Sequence, residues 1–173
     1  MPRKLDIKDP DGIMKELEGD NDRAAILVGA SIVENALGRC IRSRLREPST
    51  DEERQALFSE NGILGTFSEL IWMAYFMRLI GPLARRNLDL IRLIRNHAAH
   101  DMNPLSFSET SEIYNRCREL DWGLPFAFTK APSPRMSFIL SVTLAHTALS
   151  SRASDHDARF KGLADVFEKQ MSR

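Results

Sequence analysis

The run Arg-Asn-His-Ala-Ala-His from Arg95 to His100 holds the chain's most chemically loaded group of side chains. Histidine moves a proton near neutral pH, and guanidinium holds phosphate oxygens and stabilises charge developing on them. Arg95 and His100 therefore suit phosphodiester chemistry. With RNA the 2′-hydroxyl supplies an internal nucleophile, so such a site needs no metal or other cofactor. Five residues on an unbroken helix place the two side chains roughly 140° apart around the axis. They converge if the helix ends or distorts near Ala98 and Ala99, or if a two-fold dimer brings two copies together. The plainer reading is a helix terminus, with His100 on the C-terminal dipole and Arg95 paired with Glu34 or Glu69. Asn96 then makes a helix-terminal hydrogen bond.

The other constellations weigh less. His97-x-x-His100-Asp101 has metal-like spacing, but a third ligand is not evident, and no metal is assigned. His146 lies in an apolar helical pattern and reads as a satisfied core histidine, and Asp155-His156-Asp157 as a solvated turn or helix start. Cys40 and Cys117 sit in apolar stripes and read as buried small hydrophobes. Arginines 39, 42, 44 and 46, and 85, 86, 92 and 95, read as solvated faces with salt bridges. If a dimer aligns them around His100, Arg85, Arg86 and Arg92 instead border an RNA-binding groove. Trp72, Tyr75 and Phe76 read as core or dimer interface rather than a base-stacking platform. No Ser-His-Asp grouping stands out, and Gly62 and Gly65 have the wrong flanks for a phosphate loop.

Helices must position these groups. Asp9-Pro10 opens a short run with Ile13, Met14 and Leu17 on one side. Asp20 or Asn21 caps a long helix whose wide stripe, Ala25, Val28, Ile32, Ala36 and Cys40 among others, is core on two sides. Asp51 begins a short acidic-fronted helix through Phe58. Thr66-x-x-Glu69 matches a capping box before an apolar helix to Ile80, ended by Gly81. Pro82 starts the next helix, with Leu83, Leu88, Ile91, Ile94 and Ala98 facing inward. Ser106 or Ser108 caps a helix carrying Ile113 and Cys117. A Pro- and Phe-containing loop follows from Trp122, and Ser133-Pro134 starts a helix with Ile139, Val142 and His146. Residues 153–173 form a last amphipathic helix. β-branched alternation is absent, so the fold class is all-α, a single helical bundle of about six or seven helices over 1–173. Residues 1–20 form a peripheral N-terminal segment.

A length of 173 residues suffices for one core without metal or disulfide staples. The 43% hydrophobic and 28% charged fractions describe an ordinary globular chain. Lys plus Arg equals Asp plus Glu at 24 each, so global charge attracts no polyanion, and nucleic-acid binding needs a local basic patch. Direct DNA binding is further disfavoured by the absence of a basic recognition helix after a short Gly turn. The N-terminus lacks a signal peptide's apolar core. The stretch Leu70 to Ile80 is too short to span a bilayer, so no membrane association is expected and the location is cytoplasmic.

The Arg95-to-His100 element, an Arg followed five residues later by His at the end of an apolar helix, resembles the RxxxxH signature of the HEPN superfamily of helical domains. Three further segments resemble the mannitol operon repressor (MtlR) family. They are Leu57 to Ser68 (Leu-Phe-Ser-Glu-Asn-Gly-Ile-Leu-Gly-Thr-Phe-Ser), Asp89 to Asn96 (Asp-Leu-Ile-Arg-Leu-Ile-Arg-Asn), and Pro134 to Val142 (Pro-Arg-Met-Ser-Phe-Ile-Leu-Ser-Val). Together they span most of the chain in order, which is more specific than RxxxxH alone. The resemblance implies an MtlR/HEPN-like homodimer. It implies a transcriptional regulator that acts through a protein partner or RNA without a DNA-binding motif of its own. The alternative it implies is a metal-independent HEPN endoribonuclease of toxin or defence type. There Arg95 positions phosphate, His100 is acid and base, Asn96 is the motif's polar second position, and Glu34 is an acidic neighbour.

Overall fold

The computed structural model describes residues 10–19, 21–102, 105–108, 111–121 and 133–171, with side chains up to Ser154. Seven α-helices and no strand occur among them: α1 (Pro10–Leu17), α2 (Asp22–Arg42), α3 (Asp51–Phe58), α4 (Phe67–Phe76), α5 (Pro82–His100), α6 (Glu112–Arg118) and α7 (Pro134–Met171). The expected all-α bundle is what forms.

Helix α2 is the axis of the bundle. Its N-cap, Asn21, accepts a hydrogen bond from the Ala24 amide at 3.2 Å, satisfying one otherwise orphaned donor. Eleven of its residues are buried, from Ala25 to Ile41, and it packs against α1, α4, α5 and α7. By length and composition α2 could cross a bilayer, a property the sequence reading assigned to no segment. Most of that apolar surface is spent inside the bundle. Gly29 sets how closely α7 and α1 approach. A Cβ there would stand 2.9 Å from Phe138 Cε1, 3.2 Å from Val142 Cγ2 and 3.4 Å from Leu17 Cδ1. Within segment 1–20 the described residues 10–19 bring Ile13 and Leu17 fully into the core, and residues 1–9 and 20 lie outside the described residues.

The α4–α5 hairpin lies against α2. Thr66 and Glu69 form the expected capping box, each side chain satisfying the other's backbone amide. Helix α4 stops at Phe76, four residues before the expected end. Its C-terminus folds back through Leu79 N–H to the Ala74 carbonyl (2.9 Å) and Arg78 N–H to the Tyr75 carbonyl (3.0 Å). This Schellman closure puts Arg78 at φ 58°, the left-handed position usually taken by glycine. Gly81, expected to end α4, is instead the N-cap of α5, with Pro82 in its first turn. Leu88, Ile91, Ile94 and Ala98 face the core as expected, whereas Leu83 is exposed.

The remaining elements close the bundle. Asn87, buried on α5, accepts from the Asp121 amide at 3.0 Å and donates to the Asp121 carbonyl, stapling the chain after α6. Helix α6 is capped by Ser111, not by Ser106 or Ser108. Arg135 at the start of α7 pairs with Asp22 (3.0 Å) and donates to the Leu17 and Gly19 carbonyls, tying three helices at one corner. The chain expected to split near 153 continues as one helix. Asp155-His156-Asp157 therefore lies within α7 and not at a turn or helix start; no proline interrupts the segment. Those three side chains, and the loop from Trp122, lie outside the described residues.

Both cysteines are buried and unpaired. Burial pushes the Cys117 thiol up to about 12 and raises Cys40 as well, against the pull of Arg44 and Arg152. His146 is the core histidine expected, with Nε2 3.5 Å from Arg39 Nη2 and 3.4 Å from Ser150 Oγ. Burial, and then the Arg39 guanidinium, holds its pKa below the ordinary histidine value. The unfolded chain therefore takes up a proton that the folded chain refuses, and this costs stability as pH falls below about 6.5.

Two measurements check these contacts. Gly29→Ala drives a Cβ into the buried Phe138 ring and is expected to lower stability by about 1 kcal/mol, overpacking exceeding the gain in helix propensity. Gly38→Ala on the same helix meets nothing closer than 3.9 Å and should raise stability by about 0.5–1 kcal/mol. Denaturant unfolding reads both. The same titration at pH 7 and 5 should show a shallower acid loss in His146→Gln than in the parent chain.

Candidate functional site

Helix α5 is unbroken from Pro82 to His100 and stops at Asp101, whose amide donates to the His97 carbonyl at 2.9 Å. The helix does not distort at Ala98 and Ala99, one of the two ways in which Arg95 and His100 could have converged, and Arg23 from α2 donates to the Ala98 carbonyl in its last turn. Arg95 and His100 therefore keep the angular separation of a regular helix, and one chain does not aim them at one point.

Their surroundings differ as much as their directions. Arg95 is half-buried, donates to Asn96 Oδ1 at 3.1 Å, and lies close enough to Glu34 on α2 for the charges to interact. Burial raises the Glu34 carboxyl above its ordinary value, and Arg95 opposes that shift. Asn96 thus accepts a side-chain hydrogen bond from its neighbour in the chain. His100 is exposed, and among the described residues no hydrogen bond or ion pair holds it. His97 is the histidine with carboxylate neighbours: Nε2 is 3.4 Å from Asp101 and Nδ1 3.4 Å from Glu112 on α6. No group of three or more His, Cys, Asp or Glu among the described residues is arranged to hold a metal ion.

The arginines expected to border a groove are engaged separately. Arg92 pairs with Asp89 at 3.2 Å and Arg86 with Glu119 at 3.8 Å. Arg44 donates to the Cys40 and Arg152 carbonyls, and Arg42 lies over the Phe58 ring. Arg85 takes a different course. Its guanidinium stacks 4.7 Å from the Trp72 ring centroid and 5.1 Å from that of Tyr75, and its buried Nε has no hydrogen-bond partner among the described residues.

That stack belongs to a second candidate site, at the other end of α5. Phe67, Leu70, Ile71 and Ala74 take the inner face of α4. Trp72 and Phe76, four apart, share the outer face and stack at 5.7 Å, with Tyr75 edge-on to both. Trp72 is 45% exposed and Phe76 72%, so within one chain they are not core. The sequence reading named these aromatics but missed their pairing with Arg85. The available signal was Trp72-x-x-Tyr75-Phe76 facing an arginine just inside the next helix.

No family model matches the chain, and no curated protein matches it. Among solved structures, the chain is similar to a chain of the MtlR–HPr complex from Escherichia coli. The two are 19% identical with a TM-score of 0.64, covering 82% of this chain and 98% of that one. At that identity the likeness is one of fold: this chain has an MtlR-like helical architecture.

The Arg95–Glu34 contact yields a direct prediction. Arg95→Ala is expected to destabilise the fold at neutral pH by leaving a half-buried carboxylate without its cation. Glu34→Gln in that background should recover most of the loss, with a coupling of about 1 kcal/mol or less. The cost should fade as pH falls and Glu34 protonates. A coupling of zero in denaturant unfolding would show that the two charges do not communicate.

Proposed function

We propose that this chain is a regulatory module of the mannitol-repressor kind, acting by protein contact and carrying no DNA-recognition helix of its own. The observation that carries the reading is the exposed corner of Trp72, Phe76 and Arg85, built on rigid helices. Aromatic and arginine side chains contribute most of the energy at protein interfaces, whereas exposed rings this large are uncommon on surfaces without a partner. The similarity to a chain solved in the MtlR–HPr complex supports a protein partner, and makes HPr the first to test.

An intrinsic nuclease fits the single chain less well. Arg95 is engaged with Asn96 and lies beside Glu34, His100 stands apart from it, and two of the three arginines expected to border an RNA groove are paired with carboxylates.

Titration calorimetry with HPr should show binding that weakens about tenfold or more in a Trp72→Ala, Phe76→Ala double variant. His100→Ala should bind as the parent chain does. Absence of binding removes HPr as the partner, and binding unaffected by the double variant removes the corner as the interface. RNA cleavage in EDTA that disappears in His100→Ala would overturn the whole reading in favour of the endoribonuclease.

A further inference from the structure

Beside the aromatic corner, the turn after α4, the first turns of α5 and the middle of α7 enclose a cavity of about 200 Å³. Its walls are aliphatic, chiefly Ala84 and Leu88 from α5 and Ala145, Ala148 and Leu149 from α7. Its charged lining residue is Arg152, whose Nη1 donates to the Leu79 carbonyl. A guanidinium carries five N–H donors, and that bond uses one. The cavity adjoins a wider cleft of about 550 Å³, with Ile80, Gly81 and Arg152 lining both, and the cleft adds Arg78, Tyr75 and Phe76. Among the described residues no carboxylate lines either space.

We infer that this cavity is a binding site for a small amphipathic carboxylate, its aliphatic tail between α5 and α7 and its carboxylate at Arg152 and Arg78. The apolar walls exclude a sugar or nucleotide, whose hydroxyls would be left without partners there. The two guanidinium groups, with no acid among the described lining residues, select an anion over a neutral molecule of the same shape. Arg78 holds a left-handed backbone conformation in which an arginine is strained, and that conformation sets it at the cleft. Such a ligand would touch the α4–α5 turn and α7 at once, bridging two elements that otherwise meet around an open space.

Octanoate and octanol, matched in tail and differing in charge, are the probes. Calorimetry on the full chain should show octanoate binding at about 1 mM or tighter, with octanol about tenfold weaker. Arg152→Gln should abolish that preference. Ala148→Phe, at an exposed position on the rim, should fill the cavity and eliminate binding of both. Circular dichroism melts check that each variant is folded, and amide chemical shifts at 79–88 should move with ligand. Absence of octanoate binding overturns the inference. Equal affinity for the two probes in the parent chain, or undiminished binding in Ala148→Phe, does so as well.

Discussion

Burial of α2 along most of its length is the constraint from which the other helices take their positions. A helix with core on two sides needs neighbours on each of them, and α7 and α1 approach where Gly29 leaves no side chain in the way. The α4–α5 hairpin covers another side through Leu70, Ile71, Ala74, Ile91 and Ile94. Polar ties then fix the ends: Arg135 joins α7 to Asp22 and the end of α1, Arg23 holds the last turn of α5, and Asn87 staples the chain beyond α6. Apolar packing supplies most of the cohesion, and Asn87, Arg23 and Arg135 are placed where a backbone group needs a partner.

That arrangement has opposite consequences for the two ends of α5. At its C-terminus, packing on α2 draws Arg95 toward Glu34, while regular helix geometry leaves His100 in solvent. The residues best suited to phosphodiester chemistry are thus separated by the helix that carries them. At its N-terminus, α4 spends its inner face on the core and leaves Trp72 and Phe76 outside, with Arg85 stacked across two rings. A preformed aromatic surface on the short, capped helix α4 loses little side-chain entropy on contact, which suits recognition better than catalysis.

Much of this was legible from local chemistry. Asn21, the Thr66–Glu69 capping box and Pro82 mark helix starts because the groups they satisfy lie within a few residues. Leu88, Ile91, Ile94 and Ala98 declare their face by spacing, and His146 by its apolar setting. Other features depend on tertiary context. Periodicity places Trp72 and Phe76 on one face but does not say whether a helix covers it. Arg78 in a glycine position hid the end of α4, and Leu83 has the right type without a neighbour to bury it. Of the two carboxylates that charge pairing offered to Arg95, Glu34 and Glu69, the electrostatic neighbour is Glu34. That the two halves of the motif point apart followed from arithmetic on an unbroken helix, and only the structure shows that the helix is unbroken.

A hydrogen-exchange footprint of the chain in complex with its protein partner separates a contact surface from a motif most directly. Protection confined to amides around 72–86, with 95–100 exchanging as in the free chain, is the result this account requires. Protection centred on 95–100, with the α4–α5 corner unchanged, would contradict it.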